Sequence, residues 1–295
     1  MSLDENFQKD ISVNSEKELN SENRFYNPGV YNLDEEYKKY SLLLQKGEID
    51  KKLFFKLGRI NHFRGNLDEA FKYYNKALEL DPDYGEVHYN LGNIYFEQGR
   101  LGKGQEHFLK AIEANSGDIY ALNALGKTCF RLKKFIEAAK YHSMALEKNP
   151  EDVYALRGLG NIWLVKKNFG EALNYYHKAL DVNSSDRISR YNIGLVYLFS
   201  GKPDLGEKHY REAIDTYKYF SPFYFGLGLC YYRQGKEKDG FEEFKTGLTL
   251  FQKSDYISSN RVYEKSAETD FAFKDRLDDE EWNDLASDYH FCKGN

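Results

Sequence analysis

Apolar residues return at every third or fourth place through most of the chain, and this pattern itself repeats at a fixed interval. A leucine or isoleucine followed by glycine recurs with unvarying spacing. The recurring glycines are Gly58, Gly92, Gly126, Gly160, Gly194 and Gly228. An alanine or a further glycine follows each of them at a second constant distance, as Ala77 follows Gly58 and Gly247 follows Gly228. If the recurring glycine is counted as position 8 of each interval, mostly apolar or small residues fall at positions 4, 7, 8 and 11. A second set falls at positions 20, 24 and 27. The pattern therefore predicts two amphipathic helices in every repeat.

Counting the recurring glycine as position 8 divides most of the chain into six repeats. They are residues 51–84, 85–118, 119–152, 153–186, 187–220 and 221–254. Small residues at positions 8 and 20 let the two helices of a repeat approach closely, and aromatic residues fill the space beside them. Because a single helical hairpin cannot bury its own apolar face, neighbouring hairpins must stack. We expect twelve antiparallel helices in six hairpins.

The residue types at the fixed positions match a known repeat pattern. Position 11 is Tyr95, Trp163, Tyr197 or Tyr231, and position 24 is Tyr74, Phe108, Tyr176, Tyr210 or Phe244. Together with Leu-Gly, a small residue at position 20 and the length of the interval, this pattern resembles the tetratricopeptide repeat family. The resemblance covers residues 51–254 and implies an all-α fold, a right-handed superhelix of helix-turn-helix repeats. The sequence departs from the pattern at Asn61, Cys129 and His142, and the closing proline is present only as Pro82 and Pro150.

The segments outside the repeats have distinct compositions. Residues 1–32 are polar and aperiodic, which predicts a disordered arm, and residues 33–50 align with the second helix of the first repeat, which predicts an N-terminal capping helix. Residues 255–295 form an acidic tail with a net charge of −6. In this tail Trp282, Leu285, Ala286 and Tyr289 have helical spacing. This helix could cap the last repeat, occupy a groove of the same chain, or dock into a second copy and cause self-association.

The first helix of each repeat is the predicted binding element, because first helices line a concave face in the proteins that this chain resembles. Positions 2, 5, 6, 9, 12 and 13 project into that face. Eleven of these 36 positions are aromatic, whereas aromatic residues make up 16% of the whole chain. Seven are basic, and only Glu86 and Glu97 are acidic. The pattern predicts an aromatic and basic groove, although some of these rings could instead pack against the neighbouring helix.

Asparagines add a third type of side chain to this face, and a row of amides could hold the backbone of an extended peptide. The candidate groove residues are Phe55, Arg59, Tyr89, Asn90, Asn93, Tyr120, Asn123, Lys127, Arg131, Tyr154, Arg157, Asn161, Tyr191, Asn192 and Phe225. We expect the partner to be a segment of another protein, and the positive face favours an acidic one. A clamp for a terminal carboxylate is not expected, because Pro222 and Gly226 stand where the family's clamp needs cations.

The sequence contains no recognisable catalytic, metal-binding or phosphate-binding motif. There is no HExxH, nucleophile elbow or phosphate loop. Four of the seven histidines, His107, His142, His177 and His209, follow the repeat on second helices, so we do not expect these four to converge. We therefore expect no enzyme activity, no cofactor and no metal. A net charge of −5 without a basic cluster argues against nucleic acid, and the sequence shows no export signal or membrane span. Three widely spaced cysteines fit reduced thiols in the cytoplasm. The sequence predicts a protein-binding adaptor, with a structural scaffold as the alternative.

Overall fold

The computed structural model describes residues 33–115 and 117–257, with side chains up to Phe251. This part of the chain contains thirteen α-helices and no strand, which confirms the predicted all-α fold. The helices are α1 (Leu33–Gln45), α2 (Lys51–Phe63), α3 (Leu67–Leu80), α4 (Gly85–Glu97), α5 (Leu101–Ala114), α6 (Ile119–Arg131), α7 (Phe135–Lys148), α8 (Val153–Val165), α9 (Phe169–Val182), α10 (Arg187–Phe199), α11 (Pro203–Thr216), α12 (Ser221–Arg233) and α13 (Glu237–Ile257).

Three-residue connections join α2 to α3, α4 to α5, and the corresponding pairs up to α12 and α13. The middle residue of each connection has a positive φ and recurs at the interval of the sequence repeat. These residues are Gly65, Gly99, Lys133, Lys167, Gly201 and Gly235. The N–H that follows bonds to the carbonyl five residues earlier, as from Asn66 to Asn61 at 2.9 Å. This bond closes the end of the first helix in a Schellman-type arrangement and turns the chain back.

The recurring glycine of the sequence marks a close contact inside each hairpin. A Cβ at Gly58 would lie 2.6 Å from the ring of Tyr74, and one at Gly160 would lie 2.5 Å from the ring of Tyr176. Both rings are completely buried. Glycine at position 8 is therefore explained by the ring at position 24, as the sequence pattern predicts.

Contacts divide the chain into two compact units, the first ending at Ala124 and the second beginning at Leu125. In the first unit α1 packs on α2, and α2 to α5 pack in sequence. Its core is Phe54, Ala70, Tyr74, Ala77, Val87, Leu91 and Ile94. In the second unit α7 to α13 pack consecutively, and α10 also contacts α8 and α12. The core of the second unit centres on α10, where Tyr191 to Val196 are all buried.

Some predictions about the ends of the chain remain predictions. Helix α1 lies where the capping helix is expected, but its capping role and the repeat boundaries are not tested. The arm 1–32 and the amphipathic helix around Trp282 fall outside the described residues. Among the described helices, none combines the length and apolar character that crossing a bilayer requires.

Candidate functional site

The first unit contains a concave pocket of about 570 Å³ between α2 and α4, referred to below as the α2–α4 pocket. Its walls also include the α3–α4 connection, the end of α5 and the start of α6. Five predicted groove residues lie in its lining. They are Phe55, Arg59, Tyr89, Asn90 and Tyr120. The structure thus brings together side chains that are distant in the sequence, from Phe55 on α2 to Tyr120 on α6.

Aromatic rings form much of the lining of this pocket, and other rings support them from behind. The ring centroid of Phe55 lies 5.4 Å from that of Tyr84 and 6.3 Å from that of buried Tyr74. The ring of Tyr89 lies 5.9 Å from that of buried Phe108. Such packing restricts the half-buried rings, so that binding a ligand would cost little side-chain entropy.

Two of the pocket's cations have specific contacts within the protein. The Arg59 guanidinium lies 5.5 Å from the ring centroid of Phe55 and 5.9 Å from that of Phe63, one helical turn to either side. Lys51 donates to the Asp81 carboxylate and lies 5.0 Å from the ring centroid of Tyr84. The hydrogen bond between the two side chains raises the pKa of Lys51 and lowers the pKa of Asp81.

Carboxylates that the sequence analysis missed also line the α2–α4 pocket. Counting first-helix positions identifies Glu86, but the pocket additionally contains Asp81, Asp83 and Asp118. These three aspartates stand in the connections that precede α4 and α6, at positions 31, 33 and 34 of the repeat. The four carboxylates outnumber the pocket's three cations, Lys51, Lys52 and Arg59, so the predicted positive charge is not a property of this pocket.

Two histidines support the connection that carries Asp81 and Asp83. The Nε2 atom of His88 lies 2.9 Å from the Pro82 carbonyl, which can only accept, so His88 donates there. Its Nδ1 atom therefore accepts from His107 Nδ1, at 3.0 Å. Burial lowers the pKa of both histidines, that of His107 to about 4. Both rings are accordingly neutral near pH 7, as this hydrogen bond requires.

The predicted row of asparagines is partly occupied by bonds inside the protein. The Asn90 amide donates to the Glu86 carbonyl at 2.7 Å. In the second unit, Asn161 Oδ1 accepts from the Tyr176 hydroxyl at 2.7 Å and from the Asn192 amide at 3.2 Å. Asn93 and Asn123 are half-buried and lie outside the lining of the α2–α4 pocket. These asparagines therefore do not form a continuous row that could hold a peptide backbone.

The predicted role of Arg157 requires a correction, whereas its neighbour Tyr154 is half-buried and stays a predicted groove residue. Arg157 is 9% exposed and its guanidinium lies 3.2 Å from the Asp186 carboxylate, which also accepts from the N–H of Ser189 at the start of α10. The same guanidinium lies 4.7 Å from the ring centroid of Tyr154. Arg157 therefore connects α8 to the N-terminus of α10 and is not an open cation for a ligand. Sequence position alone could not show this, because its partner belongs to the following connection.

Tyr191 and Asn192 are likewise placed in the interior, with 1% and 0% of their surface exposed. The Tyr191 carbonyl accepts from the Tyr210 hydroxyl, and the two ring centroids lie 5.8 Å apart. Neither side chain is accessible to a partner in this conformation. For Tyr191 this is the alternative stated for the aromatic rings, which is packing against a neighbouring helix. The other three predicted residues of the second unit are half-buried. They are Lys127 and Arg131 on α6, and Phe225 on α12, whose ring stacks on Phe244.

No group of three or more histidine, cysteine, aspartate or glutamate side chains within the described residues could hold a metal ion. Cys129 and Cys230 are buried, and burial raises the pKa of their thiols to about 11 and about 12. Thiols that stay protonated near neutral pH are poor nucleophiles. The accessible side chains of the α2–α4 pocket are suited to noncovalent contact.

Solved structures of other proteins resemble this fold. A tetratricopeptide repeat protein from Parabacteroides merdae ATCC 43184 aligns with a TM-score of 0.63 and 18% identity, over 80% of this chain and 98% of its own. The MamA protein aligns with a TM-score of 0.45 and 19% identity, over 59% and 95%. YrrB, described as a TPR protein with an unusual peptide-binding site, aligns with a TM-score of 0.43 and 18% identity, over 60% and 91%.

Family profiles match most of the helical region. A profile described as TPR repeat matches residues 58–99, and one described as tetratricopeptide repeat matches residues 85–118. A second tetratricopeptide repeat profile matches residues 123–188 and 191–255. No curated protein sequence matches the chain. Profile matches over well above half of the chain, together with the helical packing, show that it belongs to the tetratricopeptide repeat family.

Proposed function

We propose that this protein is a non-enzymatic adaptor that binds a segment of a partner protein in the α2–α4 pocket. Members of the tetratricopeptide repeat family bind proteins or peptides and serve as adaptors or scaffolds, and the family is generally non-enzymatic. The observation that carries the proposal is the ring-lined concavity. Phe55, Tyr84, Tyr89 and Tyr120 all line it and are half-buried, so each keeps part of its surface exposed to solvent.

The dimensions of the α2–α4 pocket favour a short segment over a folded surface. A volume of about 570 Å³ accommodates a few side chains, in the range of sites that enclose small ligands. Aromatic residues supply much of the binding energy at protein interfaces, because they bury a large area with few rotatable bonds. Rings already held by Tyr74 and Phe108 lose little further freedom on binding.

A peptide library displayed on phage would test this proposal without knowledge of the natural partner. Peptides enriched on the full chain would be synthesised, and their dissociation constants measured by fluorescence anisotropy. We expect Tyr89→Ala to weaken an enriched peptide at least tenfold, since buried aromatic anchors commonly contribute that much. The control is Phe241→Ala, which removes a ring that is 44% exposed on α13, outside the pocket. Circular dichroism would check that both variants fold.

Equal binding by the parent and Tyr89→Ala, in a variant with unchanged helical content, would overturn the proposal. Arg157→Ala, at another predicted groove position, would not give a clear result in this experiment. It would leave the buried Asp186 carboxylate without its cation, so that lost binding could reflect lost stability.

A scaffold role is the second candidate, and exposed apolar side chains of the second unit favour it. Ile136 on α7 is 83% exposed, Leu205 on α11 is 47% exposed and Phe241 on α13 is 44% exposed. All three lie on second helices, away from the predicted groove helices. A scaffold would cover them with a folded partner. If the protein retains intact folded proteins, Ile136→Glu and Tyr89→Ala separate the two roles. Loss of this retention in Ile136→Glu, with unchanged retention in Tyr89→Ala, would support the scaffold role over the adaptor role.

A further inference from the structure

The α2–α4 pocket has two kinds of charged wall. Helix α2 supplies the cations Lys51, Lys52 and Arg59, whereas the connections before α4 and α6 and the first turn of α4 supply the carboxylates. Lys51 is paired with Asp81, so these two charges largely offset each other. Besides the two remaining cations, Lys52 and Arg59, the lining has three further carboxylates, those of Asp83, Glu86 and Asp118. A ligand therefore meets an excess of negative charge.

Along the chain, these carboxylates are adjacent to the tyrosines that line the pocket. Asp83 immediately precedes Tyr84, Glu86 follows it by two residues, and Asp118 precedes Tyr120 by two. Asp118 is also held in place, because its Oδ1 atom accepts from the N–H groups of Tyr120 and Ala121 at 3.0 and 3.2 Å. Carboxylates and tyrosine faces thus line the same concavity.

Aromatic rings of the first unit already attract cations from the protein itself. The Lys51 ammonium lies 5.0 Å from the ring centroid of Tyr84, and the Lys56 ammonium lies 4.9 Å from that of Tyr40. The face of an aromatic ring carries partial negative charge, which stabilises a nearby cation. An arginine guanidinium is planar and weakly hydrated, so it can stack on a ring while its edge donates to a carboxylate.

We propose that the α2–α4 pocket selects a partner segment that carries an arginine or a lysine, with its cation against the lining tyrosines and paired with Asp83, Glu86 or Asp118. The inference rests on the proposed function and specifies the ligand of the same site. It reverses the acidic partner expected from the sequence, because the excess carboxylates would repel an acidic segment.

The test compares two peptides on the full chain. The first is the most enriched peptide of the phage selection, and the second carries glutamate at each of its arginine and lysine positions. We expect arginine and lysine to be enriched over aspartate and glutamate in the selected pool, and the dissociation constant of the glutamate peptide to be at least tenfold higher. Raising the salt concentration should weaken the basic peptide, because partly exposed ion pairs are screened.

A charge-reversed pocket supplies the matched variant. Asp83→Lys with Glu86→Lys should weaken the basic peptide at least tenfold and strengthen the glutamate peptide. The control, Glu79→Lys with Glu106→Lys, makes the same change in net charge at exposed positions of α3 and α5 outside the lining. It should alter either affinity less than threefold. If the reversed pocket lowers helical content, Asp83→Asn with Glu86→Gln removes the charge at constant shape and should still weaken the basic peptide.

The possible results separate this inference from the proposed function. Enrichment of acidic peptides that depend on Tyr89, or equal affinity for the two peptides, would overturn the basic ligand and leave the adaptor role standing. Failure of every enriched peptide to depend on Tyr89 would overturn the adaptor role, and the inference with it.

Discussion

The ring of His142 lies between two glycines that belong to different helices. A Cβ at Gly126 would lie 2.7 Å from this ring, and a Cβ at Gly158 would lie 2.3 Å from it. Tyr210 is enclosed by glycines of α10 and α12 in the same way. One ring therefore sets the separation of three helices, the two of its own hairpin and the first of the next. A side chain added at either glycine must displace this buried ring.

Replacing Gly126 tests this contact at the residue scale. Gly126→Leu should lower the free energy of unfolding by about 3 kcal/mol, because overpacking a filled interior costs more than the gain in helix propensity. The control is Gly102→Ala on α5, where a Cβ would meet nothing within 4 Å. Because Gly102 lies in the first turn of α5 and is exposed, this change should alter the free energy of unfolding by no more than about 0.5 kcal/mol. Urea unfolding measures both, and a loss below about 1 kcal/mol for Gly126→Leu would contradict the register of the repeat.

The protonation of His142 makes stability depend on pH. Complete burial lowers the pKa of His142 from its ordinary 6.5 to about 4. Between these values the unfolded chain binds a proton that the folded chain does not, so the free energy of unfolding falls as the pH is lowered. Linkage gives a loss of about 2 kcal/mol from this residue between pH 7 and pH 5. Urea unfolding at the two pH values measures it.

A variant isolates the contribution of His142 from that of the other groups that titrate in this range. Tyr176 and Tyr210 occupy the corresponding position in other hairpins, so His142→Tyr should fold with the same packing. It should lose about 2 kcal/mol less than the parent when the pH falls from 7 to 5. If parent and variant lost the same free energy of unfolding between pH 7 and pH 5, His142 would bind its proton equally well in the folded and the unfolded chain.

At the scale of the element, the turn inside each hairpin requires one residue with a positive φ. Glycine adopts this conformation at little cost, and four of the six turns have it. Lys133 and Lys167 take the same conformation, with φ values of 58° and 57°. An L-residue other than glycine is disfavoured there by about 1–2 kcal/mol. The two lysine turns keep the hydrogen bonds of the glycine turns, such as that from Lys134 N–H to the Cys129 carbonyl at 2.8 Å.

Exchanging the residues of these turns should change stability in opposite directions. Lys133→Gly should raise the free energy of unfolding by about 0.5–1 kcal/mol, since relief of the backbone strain exceeds the entropy that glycine loses on folding. Gly99→Ala should lower it by about 1 kcal/mol, because a Cβ there meets no neighbour and only the backbone conformation is penalised. Thermal or urea unfolding measures both. A destabilising Lys133→Gly would mean that the lysine side chain stabilises the turn more than its backbone strain costs.

At the scale of the whole molecule, the predictable part of the structure is what repeats. The pattern of the repeat predicts the helices and their close approach at small residues beside aromatic rings, as the structure has it at Gly58 and Tyr74, because both depend on residues at fixed positions of one repeat. The sequence did not predict Asp81 and Asp118 in the pocket, because both lie in connections between helices and the groove was predicted from positions on the first helices alone. It also did not predict the burial of Tyr191, because exposure at a given repeat position depends on the size of residues in neighbouring helices.

Burial also differs strongly from helix to helix, which predicts a gradient of stability along the molecule. Helix α1 has no buried residue, and its Leu44 is only half-buried against the core of the first unit. Arg64 adds a hydrogen bond to the Leu33 carbonyl at 3.2 Å, an ion pair with Asp34 and a cation–π contact with Tyr37. Such partly exposed polar contacts contribute little free energy. Helix α10, by contrast, has eight buried residues and packs against helices that precede and follow it in the chain.

Native-state hydrogen exchange should therefore separate these two helices within one sample. Repeat proteins open by hairpins when neighbouring contacts are weak, so the amides of α1 should exchange at least about a hundredfold faster than those of α10. Arg64→Ala should speed exchange in α1 further and leave α10 unchanged, and added salt should act in the same direction. Mass spectrometry of peptic fragments reads both helices together. Equal protection of α1 and α10 would mean that the chain opens only as a whole, and that the contacts of Arg64 and Leu44 couple α1 to the core as firmly as buried apolar residues would.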